Sequence, residues 1–562
     1  MADTSVSSSH LWGHLRSLLQ LCKQDIYILV IYSVFVGTLS LATPIAVQSF
    51  VTTIAFGALF QPIVVLAVFV FSGMAFVGVM RALQFYIVEV LQKRLFTYAA
   101  HRITQTLPLL PAQLYRQESL PELVNRFLDV ATLQKAVATL LIDGLGIVLQ
   151  TLIGLLILAF YHPFFLAFDG LLVIVISLVI VVLGRRAIVT SIEESKSKYQ
   201  VHAWLEEIAQ HPHVFRHTQA QAYAAFRTDA YVLQYLKKRH AHYLVLFRQV
   251  VGSLVFQAVM SALLLALGGY LVLEKQLTIG QLVAAELIVS TVVYGLTKFS
   301  KHLESFYDLM AAVDKLFHVF DLPVSNTEHT YVSALLDTQA PVVSLEHVSL
   351  RLTATSLKTI NLNINQQEHY FIYAKTGEGK TLLAELLCGH IDTLNAGMVR
   401  ISGVHFAQYR QADLVKQVQY FSVPQLFLGT LWENLTFQKT TDMNDTSMSL
   451  VFSMCEIFNV SQFIRDLPQG LNTFISYHDN HWPVHVQYRL ALVRLFLQAP
   501  RCVVLDQPFV ELDEQLQITL LQCVLKQAKK QEMAVVYLAS SDGARHYFKH
   551  AYQLKDGQLQ SI

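Results

Sequence analysis

Six stretches of this 562-residue chain are apolar for close to the length a helix needs to cross a bilayer, and nothing else in it constrains the fold as tightly. A span takes about 20 such residues. Residues 26–47, IYILVIYSVFVGTLSLATPIAV, carry no charge, and residues 63–80 carry none either. Residues 144–161 and 163–184 are parted only by a turn at His162-Pro163. Residues 250–273 and 279–299 flank the short loop EKQLT, and no comparable run follows Ser300.

The connections alternate short and long. The long ones, 81–143 and 185–249, hold the cations, among them Lys93, Arg94, Arg126, Lys135, Arg185, Arg186, Lys237 and Arg239, while the short loops hold only Lys275. The positive-inside rule then puts the long segments and both termini on the cytoplasmic side. Much of each long segment, for example LQKRLFTYAAHRITQTL and ESKSKYQVHAWLEEIAQ, keeps a helical pattern. At 1.5 Å per residue, about 25 extra residues carry the helices roughly 40 Å past the membrane. Two acids interrupt the spans. Asp169 lies near an interface, where solvation is the simplest reading, and Glu286 is a candidate for lining a substrate path.

Composition agrees with a membrane protein: 54% of residues are hydrophobic and 14% charged. A net charge of +1 gives no pull toward nucleic acid. Cys22, Cys388, Cys455, Cys502 and Cys523 show no ligand spacing and read as reduced thiols. The start, MADTSVSSSH, lacks the basic-then-apolar order of a signal peptide.

Beyond the polar, turn-rich stretch 321–341 the pattern changes. Strand-like runs such as HYFIYA, CVVLD and AVVYLAS alternate with helical ones, which predicts an α/β layered domain with a largely parallel sheet. Within it, FIYAKTGEGKTLLAELL reads as strand, loop and helix. The loop Ala374-Lys375-Thr376-Gly377-Glu378-Gly379-Lys380-Thr381 is the phosphate-binding pattern G-x-x-x-x-G-K-[ST] with its first glycine changed to alanine. Backbone N–H groups and the helix N-terminus would cradle phosphates, Lys380 would reach the outer ones, and the Thr381 hydroxyl would hold Mg²⁺. Asp506, closing the apolar run about 125 residues on, is the matching second Mg²⁺ residue.

At this point the whole chain, from about residue 15 onward, resembles a half-size ABC exporter. The membrane half is similar to the type I secretion and peptide exporter branch in LPELVNRFLDVATLQKAV, LLIDGLGIVLQTLIGLLILAFYHPFFLAFD and IGQLVAAELIVSTVVYGLTKFSKHLESFYDLMAAVDKL. The resemblance implies a multi-pass α-helical membrane domain (residues 1–320, six spans with long cytoplasmic extensions), a linker over 321–341, and an α/β P-loop ATP-binding-cassette domain over 342–562. It implies ATP and Mg²⁺ as cofactors and a bacterial inner membrane as location. It also implies a dimer, with itself or a second half-transporter, because each nucleotide site takes its phosphate loop from one chain and its signature from the other. A membrane-fusion protein is a further possible partner. The absence of a peptidase domain in this sequence argues against leader cleavage by it.

Carried over position by position, the motor is damaged. The adenine-stacking aromatic falls at Leu352. The Q-loop glutamine falls at Ser422, with Gln425 three residues away. The signature, usually L-S-G-G-Q, falls at Trp482-Pro483-Val484-His485-Val486, and the S-A-L-D pattern becomes Val510-Glu511-Leu512-Asp513. Gln507 stands where the catalytic glutamate belongs, and an amide is no base at neutral pH. The switch histidine aligns with Ser541, while His546 reads as surface. Two readings result: an exporter-type ATP-binding/permease subunit for an unknown substrate with impaired hydrolysis, or a non-transporting ATP-binding scaffold or regulator of an intact transporter. In either, both faults lie in one chain, so neither a homodimer nor a pairing with an intact partner contains a complete site.

Overall fold

Local capping decides where the helices of the N-terminal region turn. In the computed structural model, which describes residues 8–40, 42–55, 60–111, 114, 120–324, 340–351, 356–391, 394–476 and 482–562, His162 is extended and its Nδ1 accepts from the Phe164 N–H at 3.3 Å. Pro163 takes the first helical position, where its missing N–H costs nothing. Thr278 opens the final long helix through a capping box. Its hydroxyl accepts from the Gln281 N–H at 3.1 Å, and the Gln281 amide oxygen accepts from the Thr278 N–H at 2.9 Å.

The chain divides into two units, Met1–Pro108 with Glu118–Leu322, and Leu109–Gln117 with Pro323–Ile562. The first is helical. Its principal helices are α1 (Ser8–Leu21), α2 (Lys23–Ser40), α3 (Ala42–Ala55), α4 (Phe60–Thr106), α5 (Asp129–Thr139), α6 (Leu145–Tyr161), α7 (Pro163–Leu178), α8 (Ala187–Gln210), α9 (Thr218–Leu273) and α10 (Ile279–Phe320). Among the described residues, five helical runs are long and apolar enough to cross a membrane: Lys23–Thr53, Ile63–Leu109, Leu120–Tyr161, Pro163–Gln210 and Thr218–Leu273. The sixth expected span lies in α10, whose apolar stretch among the described residues is the shorter Ile279–Val292. At 47 and 56 residues, α4 and α9 run roughly 70 and 84 Å, far beyond a 30 Å hydrocarbon layer.

Small residues let these helices approach closely. A Cβ on Gly154 of α6 would lie 3.2 Å from Ile288 of α10, and one on Gly268 of α9 would lie 2.4 Å from Leu282. Phe165 and Leu172 of α7, Met260 and Leu264 of α9, and Ile288 and Val289 of α10 share one apolar cluster. Toward the other end the interior becomes polar. Lys315 of α10 is buried, donates to the Ser195 carbonyl at 3.1 Å, stands 3.9 Å from Asp129 and lies 3.2 Å above the Tyr199 ring. Tyr199 donates to Asp129 Oδ2 at 2.7 Å, so one buried cluster ties α5, α8 and α10 together.

The second unit is α/β. Its strands are β1 (Val343–Arg351), β2 (Ser356–Ile364), β3 (His369–Tyr373), β4 (Ala396–Ile401), β5 (Val404–His405), β6 (Val418–Phe421), β7 (Gly429–Thr430), β8 (Phe474–Ile475), β9 (Cys502–Asp506), β10 (Ala534–Ala539), β11 (His550–Lys555) and β12 (Gln558–Ser561). A four-stranded antiparallel sheet runs β2-β1-β4-β5. A six-stranded sheet runs β12-β11-β3-β10-β9-β6 and is parallel from β11 to β6. Val503, Val504, Val535 and Val536 are fully buried, as central parallel strands require.

Candidate nucleotide site

Parallel strands bring their carboxyl ends to one edge of a sheet, and ligands of such sheets bind there. In this sheet Tyr373 of β3 pairs with Ala539 of β10, Leu538 pairs with Asp506 of β9, and Leu505 pairs with Phe421 of β6. The four segments that leave that edge are the ones the sequence singled out: the loop from Ala374, Ser540-Ser541, Gln507 and Ser422.

The phosphate loop passes from β3 into α11 (Lys380–Leu387). Gly377 and Gly379 have φ of 89° and 99°, which a side chain disfavours, and a Cβ on Gly377 would face open space. Ala374 is different. Its backbone lies outside the left-handed region, its N–H donates to the Ala539 carbonyl at 3.0 Å, and its methyl is wholly buried in the core. Alanine therefore replaces the first glycine without strain. Glu378 Oε2 accepts from the Lys375 N–H at 2.7 Å, closing the loop on itself. Lys380 folds back, donating to the carbonyls of Ala374 and Lys375 at 2.7 and 2.9 Å. Burial lowers the ammonium's pKa, while the charges of Asp506 and Glu378 act in the opposite sense. Thr376 sits in the turn and Thr381 in the first turn of α11.

Asp506 is buried. Its Oδ2 accepts from the Tyr420 hydroxyl at 3.0 Å, and its Oδ1 has no hydrogen-bond partner among the described residues. An orphaned buried carboxylate oxygen beside a phosphate loop suits Mg²⁺ or a metal-bound water, so Asp506 and Thr381 fit the ion. Gln507, next in sequence, has φ of 47°, and its Oε1 accepts from the Ser540 hydroxyl at 2.8 Å. The residue facing Gln507 is thus Ser540; Ser541, the aligned switch position, is exposed.

The remaining positions fall as follows. Ser422 is half-buried, two residues beyond Tyr420. Gln425 is exposed, with its backbone carbonyl held by Arg494 at 2.7 Å. At the signature position α12 (Val484–Gln498) begins, with Pro483 as N-cap and no side-chain cap. Val484 and His485 are exposed, so side chains project where glycines would leave bare backbone. Asp513 caps the following helix by accepting from the Leu516 N–H at 2.9 Å. His546 is exposed in a short turn, and Leu352 lies outside the described residues. In the helical unit, Glu286 Oε1 accepts from Ser290 at 3.0 Å and its Oε2 is buried without a partner among the described residues. Asp169 is 6% exposed with both carboxylate oxygens unpartnered there, which departs from the solvated interfacial position read from the sequence. Tyr420 and Ser540 were missed; each lies within two residues of an aligned motif position, which is the signal that could have found them.

Fold and site define a multi-helical membrane unit joined to a phosphate-loop nucleotide fold. Residues 26–296 match the ABC transporter transmembrane region and residues 357–510 match the ABC transporter domain. The chain belongs to the ABC transporter family, in the half-size exporter order of one membrane domain and one nucleotide-binding domain. It is 26% identical over 251 residues to ABC transporter B family member 21 of Arabidopsis thaliana, covering 44% of this chain and 19% of that protein. It is 24% identical to the leukotoxin export ATP-binding protein of Aggregatibacter actinomycetemcomitans (47% and 36% covered) and 23% identical to a lactococcin transport/processing ATP-binding protein of Lactococcus lactis (46% and 35%). The matched stretch spans between a fifth and about a third of those relatives' own length. A solved bacterial Atm1-family ABC exporter with ATP bound shares the fold at a TM-score of 0.81 and 17% identity, over 96% of this chain and 94% of that one.

Proposed function

We propose that this chain is an exporter-type ATP-binding/permease subunit that works as a dimer in a bacterial inner membrane, holds Mg-nucleotide, and hydrolyses it at close to the background rate. The observation that carries the reading is the pair at the sheet edge. Gln507 and Ser540, an amide and a hydroxyl bonded to each other, occupy the region where a carboxylate base and an imidazole would handle the attacking water. Neither accepts a proton at neutral pH. A general base is worth about 10²–10⁴-fold in rate. The cradle is retained: left-handed glycines at 377 and 379, Lys380, Thr381 and the open Oδ1 of Asp506. When bound, Mg²⁺ would neutralise the phosphates between Thr381 and Asp506.

The long connections and both termini are cytoplasmic in this reading, and Glu286 lines the substrate path. The dimer pairs this chain with itself or with a second half-transporter, and a membrane-fusion protein could join it. One observation favours the alternative of a non-transporting scaffold or regulator. The start of α12 carries Pro483, Val484 and His485, so closure on a partner's phosphate is obstructed as well. The test is a pair of measurements on purified protein in lipid: nucleotide affinity, and phosphate release with and without candidate partner chains. Micromolar to millimolar binding lost in Lys380→Ala, with turnover indistinguishable from that variant, is the expected result. Brisk hydrolysis abolished by Lys380→Ala overturns it.

A further inference from the structure

Tyr420 stands on β6, directly beside Val504 of β9 and two residues short of Asp506 along that strand. Its hydroxyl donates to Asp506 Oδ2 at 3.0 Å, and Ser422, the residue at the Q-loop position, follows two residues on. A phenol keeps its proton at neutral pH, so Tyr420 is the donor of this bond. The carboxylate of Asp506 is therefore asymmetric. One oxygen is fixed by Tyr420 and the other, Oδ1, is buried and open. A hydrogen bond to one oxygen favours one orientation of the carboxylate, and with it one direction for the free oxygen.

We propose that Tyr420 is the positioning residue of the metal site: its hydroxyl orients Asp506 so that Oδ1 receives Mg²⁺ or a metal-bound water. Tyr420, two residues before the Q-loop position, reaches the metal site through Asp506, where a serine at 422 is too short to make the direct amide contact. Outer partners of this kind set ligand direction and basicity, and their removal costs about 10–100-fold in metal affinity. The ring has a separate packing role, lying edge-on to His390 with centroids 6.0 Å apart. Tyr420→Phe keeps that packing and deletes only the hydroxyl.

The inference rests on the Mg-nucleotide reading above, and its test separates the two. Fluorescent ATP analogue binding to the full-length protein in lipid is titrated with Mg²⁺, and again in EDTA. Tyr420→Phe is expected to shift the Mg²⁺ midpoint upward 10–100-fold and to leave metal-free affinity within about twofold of wild type. In an Asp506→Asn background, Tyr420→Phe should have no further effect on the Mg²⁺ dependence. Bound Mn²⁺, counted by its paramagnetic resonance signal, supplies a readout independent of nucleotide fluorescence. A wild-type Mg²⁺ curve that Tyr420→Phe reproduces, or a parallel loss of metal-free affinity, overturns the positioning role while leaving the nucleotide reading intact. A wild-type protein that binds the analogue equally with and without Mg²⁺ overturns both.

Discussion

Lys315 should make the helical unit more stable in alkaline than in neutral solution. The ammonium is enclosed by α5, α8 and α10, with the charges of Asp129, Lys198, Arg126 and Asp314 around it and the Tyr199 ring against it. Burial lowers its pKa from 10.5 to about 7, Asp129 opposes the change, and Lys198 and Arg126 add to it. Between about 7 and 10.5 the unfolded chain holds the proton and the folded chain does not, so stability rises with pH through that window. Below about 7 both states are protonated and the group contributes its full penalty. The gap between the two values is worth on the order of 5 kcal/mol, of which roughly 3 kcal/mol falls between pH 6.5 and 9.5. With the side chain 8% exposed, solvent screening takes little of this away. For a unit of this size that is roughly 6 °C in apparent melting temperature, at about 2 °C per kcal/mol. The assay is thermal unfolding in one detergent at pH 6.5 and 9.5, for wild type and Lys315→Met. Wild type should melt higher at pH 9.5, and the variant should lose most of that difference. An equal pH response in both proteins would refute the argument, because the titrating group would then lie elsewhere.

Four further substitutions have definite expectations. Gln507→Glu restores the missing acid, yet phosphate release should stay within about tenfold of wild type, because Pro483, Val484 and His485 remain at the signature; a gain of 10³-fold would show that the base alone was lacking. Ala374→Gly should lower stability by about 0.5–1 kcal/mol and leave nucleotide affinity unchanged, since the position needs no left-handed backbone and buries its methyl; denaturant unfolding and analogue binding together check this. Asp169→Leu should hold or raise the melting temperature, because it replaces a buried carboxylate that has no partner among the described residues by an apolar group beside Phe165, Phe168 and Leu172; a fall of many degrees would mean the carboxylate has a partner in the assembled protein. Glu286→Gln should leave the melting temperature close to that of wild type, because the amide keeps an acceptor for the Ser290 hydroxyl; a large fall would show that the carboxylate itself holds the helices together.

What could be read from the sequence was whatever is encoded within a few neighbouring residues. The helical spans follow from uninterrupted apolar runs such as 26–47, and the turn at His162-Pro163 follows from proline's fixed φ and missing N–H. The phosphate loop is likewise local, because Gly377, Gly379 and Lys380 act through the backbone that carries them. The alternation of strands and helices fixes a parallel sheet, and with it the edge where Asp506, Gln507 and Ser422 gather. What stayed hidden is every relation between residues distant in the chain. Tyr420 and Asp506 meet only because β6 and β9 are neighbours in register, and nothing in VQYFS announces a donor to a carboxylate 86 positions later. Ser540 and Ser541 are adjacent in sequence, and the difference between them is which one the end of β10 points at Gln507. Asp169 looked interfacial from its place near the start of a span, whereas it is buried beside Phe168 and Leu172, residues of an apolar cluster that joins helices distant in sequence. Lys315 is the sharpest case: a lysine in AAVDKLFHVF reads as solvated, and only the convergence of three helices encloses it. Each missed residue is polar and placed by contacts between distant segments, where local pattern carries least information, and for the buried ones, Asp169 and Lys315, the energetic stakes of a hydrogen bond are highest.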